Sequence, residues 1–406
     1  MEFEFVEPKP VTRIKVIGIG GAGKNAVNNM INSGLEGVGF IAANTDSKDL
    51  ERSLAGTKIL MGAQLTRGLG CGADPEKGRA AAEEAREEIQ KILGDSDMVF
   101  ITAGMGGGTG TGAAPVIAEC LKELKDPPLT VAVVTKPFNF EGNLKMRQAL
   151  AGVERLKEAA DTIIIIPNDR LMTVAQRGAL LKDAFKLSDD VLLKAVKGIS
   201  DIILLPGFVS VDFQDAKRVM SYRGQALMGT GQASGQDRAI IAAQQAFSSP
   251  LLDDISIQGA QGILINVSTS EYGITLEEFN DACSLIQKEA HPEAIVIPGV
   301  AWDNSLDDQL RVTVIATGLG VKDQKMIAPV AAKQGVPSEK RIHVASLDDV
   351  LRNADHFDQP AVRRPAAPAA RGNLASYEKP GYSKYESFPF DDEELERPTF
   401  MRLKAD

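Results

Sequence analysis

A chain of 406 residues, 44% of them hydrophobic, holds more than one core's worth of material and predicts two domains with a tail. Its net charge of −10 argues against a nucleic-acid surface, which needs a face rich in Lys and Arg. Three scattered cysteines without a C-x-x-C, and three histidines late in the chain, exclude an obvious His/Cys metal site and fit a reducing cytoplasm.

The acidic start "MEFEFVEPKP", residues 1–10, reads as an arm and lacks the basic-then-apolar order of a secretory signal. From residue 13 to about 206, the runs "RIKVIG", "VGFIAAN", "MVFITAG", "LTVAVVT" and "TIIIIP" read as buried strands. Helical patterns such as 75–93 and 142–159 lie between them, so residues 11–187 are expected to form a doubly wound α/β domain with a parallel sheet. Residues 188–205 carry Leu192, Ala195, Val196, Ile199, Ile202 and Ile203 at helical spacing behind a Ser188/Asp189 start signal. That predicts a central helix about 27 Å long.

Residues 206–319 read as a smaller α+β domain, with strands "GQALMGTG", "GILINVSTS", "AIVIPGV" and "LRVTVIATG" and helices at about 237–248 and 275–289. The segment 320–390, rich in Pro, Ala and Arg, reads as a flexible linker. The final residues 391–406 regain the apolar anchors Leu395, Phe400 and Met401 after an acidic run, as a docking peptide would. No uninterrupted apolar stretch approaches the roughly 20 residues of a membrane span, so direct membrane insertion is not expected.

Two glycine clusters carry the chemistry. "VIGIGGAGKN", residues 16–25, satisfies G-x-G-x-x-G through Gly18, Gly20 and Gly23. It almost completes a P-loop, but Asn25 stands where Ser or Thr should follow Lys24. Asp46, near the end of the second strand, keeps a dinucleotide oxidoreductase in play. The second cluster, "ITAGMGGGTGTGAAP" at 101–115, follows a strand and is expected to open a helix at about Ala113. Glycines there would let backbone N–H groups approach phosphate oxygens, with Thr109 and Thr111 adding hydroxyls.

The second cluster makes the pattern specific. "GGGTGTG" at 106–112 resembles the signature loop of the tubulin and FtsZ family. "NTD" (44–46), "RGLGCGADPEKGR" (67–79), "TKPFNFEG" (135–142), "IPND" (166–169), "VDFQDAK" (211–217) and the terminal "RPTFMR" are similar to that family in order and spacing. The resemblance covers about residues 11–319. It implies a polymer-forming GTPase of the bacterial division ring, cytoplasmic and at the division site, with GTP or GDP bound and Mg²⁺ held through phosphates and water. It places Gly20, Gly21, Ala73, Gly104, Gly107, Gly108, Thr109, Gly110 and Lys145 around the phosphates and Glu141 near the ribose. Asn25 and Asp190 would grip guanine, with Asp189 beside them and Phe185 against the base. Taken singly, Phe185 reads as core, and Asp189 or Asp190 as a helix-start charge.

The resemblance also implies that Asp212 and Asp215 enter the nucleotide site of the next subunit in a head-to-tail filament and orient the attacking water. Read alone, the two are a helix N-cap and a first-turn acid. The tail 391–406 would recruit membrane-tethering or regulatory division proteins. Three positions depart from the family: Lys145 for Arg, Ser210 for the Asn opening the catalytic loop, and Asp189 for the Asn before the guanine-binding Asp. They leave open a GTP-binding scaffold paralogue with little hydrolysis.

Overall fold

The computed structural model describes residues 12–174, 180–205, 209, 211–222, 224–249, 259–270 and 273–319. The arm 1–10, Ser210, the linker 320–390 and the tail 391–406 lie outside the described residues.

A ten-stranded sheet runs through the described chain in the order β3-β2-β1-β4-β5-β6-β7-β10-β8-β9. The strands are β1 (Ile14–Ile19), β2 (Val38–Asn44), β3 (Thr57–Leu60), β4 (Met98–Gly104), β5 (Leu129–Lys136) and β6 (Thr162–Pro167), followed by β7 (Gln225–Ala233), β8 (Gly262–Thr269), β9 (Ile295–Trp302) and β10 (Leu310–Leu319). Pairing is parallel from β3 through β6, and β10 runs antiparallel to both β7 and β8. The strands after the central helix join the same sheet through the parallel pairs Ile163↔Gln225 and Ile164↔Ala226.

β2, β4 and β6 coincide with the apolar runs read from the sequence. Val/Ile-rich strands of this kind are buried on both faces. Val16, Phe100, Val131 and Ile164 face one cluster with α1 (Gly20–Asn32), while Ile17, Ile101, Ala132 and Ile163 face another with α2 (Pro75–Glu84), α3 (Arg86–Leu93), α4 (Thr109–Lys122) and α5 (Asn143–Ala159). A third cluster covers the later strands with α8 (Arg238–Phe247) and α9 (Leu276–Glu289). Between them in chain order come the central helix α6 (Leu181–Leu204) and α7 (Phe213–Met220).

Four expectations change. β3 carries too short a pattern, "TKIL", to stand out from its surroundings. The 75–93 helix is interrupted at Ala85, where φ −95° and ψ 8° end α2 and start α3. α4 opens at Thr109, not near Ala113, because glycines tolerate the sharp strand-to-helix turn. The central helix starts at Leu181, where the Leu180 N–H donates to the Asp183 carboxylate at 3.3 Å. At about 36 Å it starts about two turns earlier than expected, and Ser188 and Asp189 sit inside it, not at its cap.

Candidate functional site

In an open α/β sheet the ligand crevice lies beyond the strand C-termini, where strand order reverses. Here that point falls between β1 and β4, and a cleft of about 310 Å³ lies there. α1 and α4 both start at its wall, and neither carries a side-chain cap. Their unsatisfied first-turn N–H groups and positive dipole ends suit an anion. The two loops abut: Gly20 adopts φ +70°, and a Cβ on it would come within 3.3 Å of the Gly110 nitrogen. Gly20, Gly21, Gly104, Gly107, Gly108, Thr109 and Gly110 all line the cleft.

Several glycines serve packing as well. A Cβ on Gly112 would lie 2.0 Å from the Pro75 carbonyl oxygen, and one on Gly78 would lie 2.3 Å from that of Gly108. α2 and α4 therefore touch backbone to backbone. Thr111, expected to offer a hydroxyl to phosphate, is instead buried and accepts from the Gly106 N–H at 2.7 Å, shaping the loop. Thr109 shares its hydroxyl with Thr45 at 2.7 Å.

The two competing nucleotide motifs lose their key groups. Lys24 does not line the cleft; it is 6% exposed, and its ammonium meets Asp49 at 2.6 Å. Asn44 holds the other Asp49 oxygen at 2.8 Å. Asp46 caps the short helix Ser47–Glu51, accepting from the Asp49 N–H at 3.1 Å, so it is a structural cap away from the cleft.

The opposite wall belongs to β5, β6, α5 and α6. Glu141 accepts from the Phe138 N–H at 3.0 Å and from Lys145 at 3.1 Å, and both charged side chains line the cleft. Phe138 is fully buried, stacks on Phe140 at 4.9 Å and meets Phe185 edge-on at 5.4 Å. That packing holds Phe185 in the wall although it is 42% exposed. Asn25 and Asp189 complete this end. Burial, and then the Asp190 charge, push the Asp189 carboxyl up to about 7, against a smaller lowering by Lys24.

Two expected residues are placed elsewhere. Asp190 is not among the lining residues; it accepts from Asn29 at 2.9 Å, and a helix turns adjacent residues about 100° apart. Ala73 is exposed at φ +62° just outside the cleft, beside Asp74, which caps α2. Conversely, Thr135, Pro137, Asn168 and Ser188 line the cleft unforeseen. Thr135 is the last residue but one of β5, and Asn168, which follows β6, accepts from Ser188 at 2.9 Å. Strand-terminal position was the signal that could have found both.

Asp212 and Asp215 are exposed and do not line the cleft. Asp212 caps α7 by accepting from the Asp215 N–H at 2.8 Å. Their neighbour Val211 meets Ile202 around Gly299, and Ile202 lies about 20 Å along α6 from Asp189. The carboxylates therefore stand at the far end of the central helix from the glycine loops.

Comparison with known proteins places the fold in a family. Residues 13–176 match the Tubulin/FtsZ family GTPase domain, and residues 224–320 match the FtsZ family C-terminal domain. The cell division protein FtsZ of Pseudomonas aeruginosa is 45% identical over 418 residues, covering 100% of both chains. That of Wolbachia is 48% identical over 339 residues, 81% of this chain and 85% of its own. An empty FtsZ dimer from M. jannaschii superposes with a TM-score of 0.73 at 45% identity, covering 77% of this chain and 90% of that one. The chain belongs to the FtsZ family of cell-division GTPases.

Proposed function

We propose that GTP lies with its phosphates on the paired helix N-termini and its base between Phe185 and Asn25, and that Asp189 accepts from guanine N1–H and N2–H₂. Adenine offers no such donor pair, so the cleft selects guanine. Lys145, already bonded to Glu141, would reach phosphate as a point charge in place of the family's bidentate fork. The glycine end of the cleft offers backbone amides and the Thr109 hydroxyl, and the lining acids, Glu141 and Asp189, belong to the other wall. This donor set fits a Mg²⁺ held through phosphate oxygens and water, where it would neutralise developing charge.

Hydrolysis is assigned to Asp212 and Asp215 of the next subunit, which would orient the attacking water. What carries this reading is the separation of those exposed carboxylates from their own cleft by about 20 Å of α6. A contact of one end with the other end of a second copy is heterologous and does not close, so it builds filaments. Residues 11–187 with the start of α6 bind nucleotide in this scheme, and 206–319 present the carboxylates. The segment 320–390 would tether residues 391–406 to adaptors at the division site. The test is phosphate release together with light scattering across protein concentrations after GTP addition. Specific activity should rise from near zero above a threshold concentration that coincides with scattering. Turnover independent of concentration would contradict the scheme.

A further inference from the structure

Among the described residues, β2 is paired on its outer side only from Ile41 onward, where it meets β3 at Thr57. Val38, Gly39 and Phe40 precede that pairing, so β3 leaves the first half of this edge uncovered. A cavity of about 370 Å³ wraps the open edge. On one face it is lined by Ile31, Phe40 and Leu54, the last 53% exposed, and on the other by Lys15, Ile41 and Ile92. A bare edge beside an apolar hollow invites a further strand.

The chain carries a matching segment just upstream of β1. "MEFEFV", residues 1–6, alternates acidic and aromatic residues with the period of a strand. We propose that residues 2–6 add to the open edge of β2 as an antiparallel strand. Phe3 and Phe5 would lie against Ile31, Phe40 and Leu54, and Glu2 and Glu4 on the Lys15 face. The connection is feasible: the free edge of β2 lies two strand spacings, roughly 10 Å, from β1, and the seven residues from Glu7 to Arg13 span up to about 23 Å. Pro8 and Pro10 then end the added strand before the chain crosses under β2 and β1.

Hydrogen exchange on dilute, GDP-loaded protein tests this. The peptide covering residues 36–43 should exchange at least fivefold more slowly in the full chain than in a chain lacking residues 2–9. The double variant Phe3→Asp/Phe5→Asp should match the deletion, and unchanged GTP binding would show that both remain folded. Phe5→Cys combined with Leu54→Cys should form an intrachain disulfide under mild oxidation, because the native Cys71, Cys120 and Cys283 are buried. Equal exchange in the full and shortened chains overturns the proposal. Protection that vanishes on dilution, or a disulfide formed between chains, assigns the edge to a second copy and also overturns it.

Discussion

At the scale of single residues, the proposed function rests the reading of the base on the pair Asp189–Asp190. The family resemblance ranks Asp190 as the guanine contact and Asp189 as its neighbour, whereas the rotation of α6 sends Asp189 into the cleft and Asp190 to Asn29. If Asp189 accepts from the base as proposed, guanine binding is sensitive to pH. Its carboxyl titrates near 7 because burial and Asp190 disfavour the charge, yet the guanine edge needs an acceptor. Below pH 7 the proton must leave before the base docks, so affinity rises with pH through about 7 and then levels. Affinity scales with the competent fraction, so the Asp189 contribution should weaken binding about tenfold from pH 8 to pH 6. Calorimetry across that range should show the difference between unaltered protein and Asp189→Asn narrowing as pH falls; a difference constant with pH would remove Asp189 from the base contact. The same sign governs the empty protein: the raised value makes the folded state lose stability as pH climbs from about 4 to above 7, and Asp189→Asn should stabilise it more at pH 8 than at pH 5.

At the scale of elements, the glycine signature joins two tasks that the sequence shows as one. Gly20, Gly107 and Gly110 open the cleft wall, whereas Gly78 and Gly112 let α2 and α4 meet at backbone distance. Gly112→Ala places a methyl where the Pro75 carbonyl stands, and overpacking of this kind costs about 1–3 kcal/mol. Thermal unfolding should show the loss, and nucleotide binding should weaken with it because α4 carries Thr109 and Gly110. Asp212 is likewise double: losing its cap should cost about 1 kcal/mol in Asp212→Ala but little in Asp212→Asn, since Asn caps comparably. Equal melting temperatures for the two variants would contradict the capping role. Strands buried on both faces were legible, β4 and β6 among them, because continuous apolar runs have few alternative folds. β3 was not, since four residues at a sheet edge carry too little periodicity. The start of α6 was misread because Ser188 and Asp189 mimic a cap, while the group that serves there is Asp183, three residues beyond Leu180.

At the scale of the whole molecule, the glycine loops and their placement were legible because two phosphate-binding turns at neighbouring strand ends have few other uses. The wall facing them was less so: Thr135 and Asn168 become site residues only when β5 and β6 line up beside β4. On the proposed reading, a chain with its cleft on the first half of α6 and its exposed carboxylates beyond the other end is half of two sites. The direct test mixes two variants, each lacking a different half. Asp212→Asn keeps its cleft and its α7 cap but loses a carboxylate. Gly108→Ser keeps both carboxylates but crowds Cys71 and Asp74 at the loop, where a Cβ would lie within 2.7 and 2.9 Å. Co-sedimentation first establishes that both enter one polymer, and phosphate release is then followed at equal concentrations. Random head-to-tail order puts an intact cleft against an intact carboxylate pair at about a quarter of contacts, so about a quarter of the unaltered activity should return where each variant alone shows almost none. Mixed polymers that release no more phosphate than the separate variants would contradict the shared site.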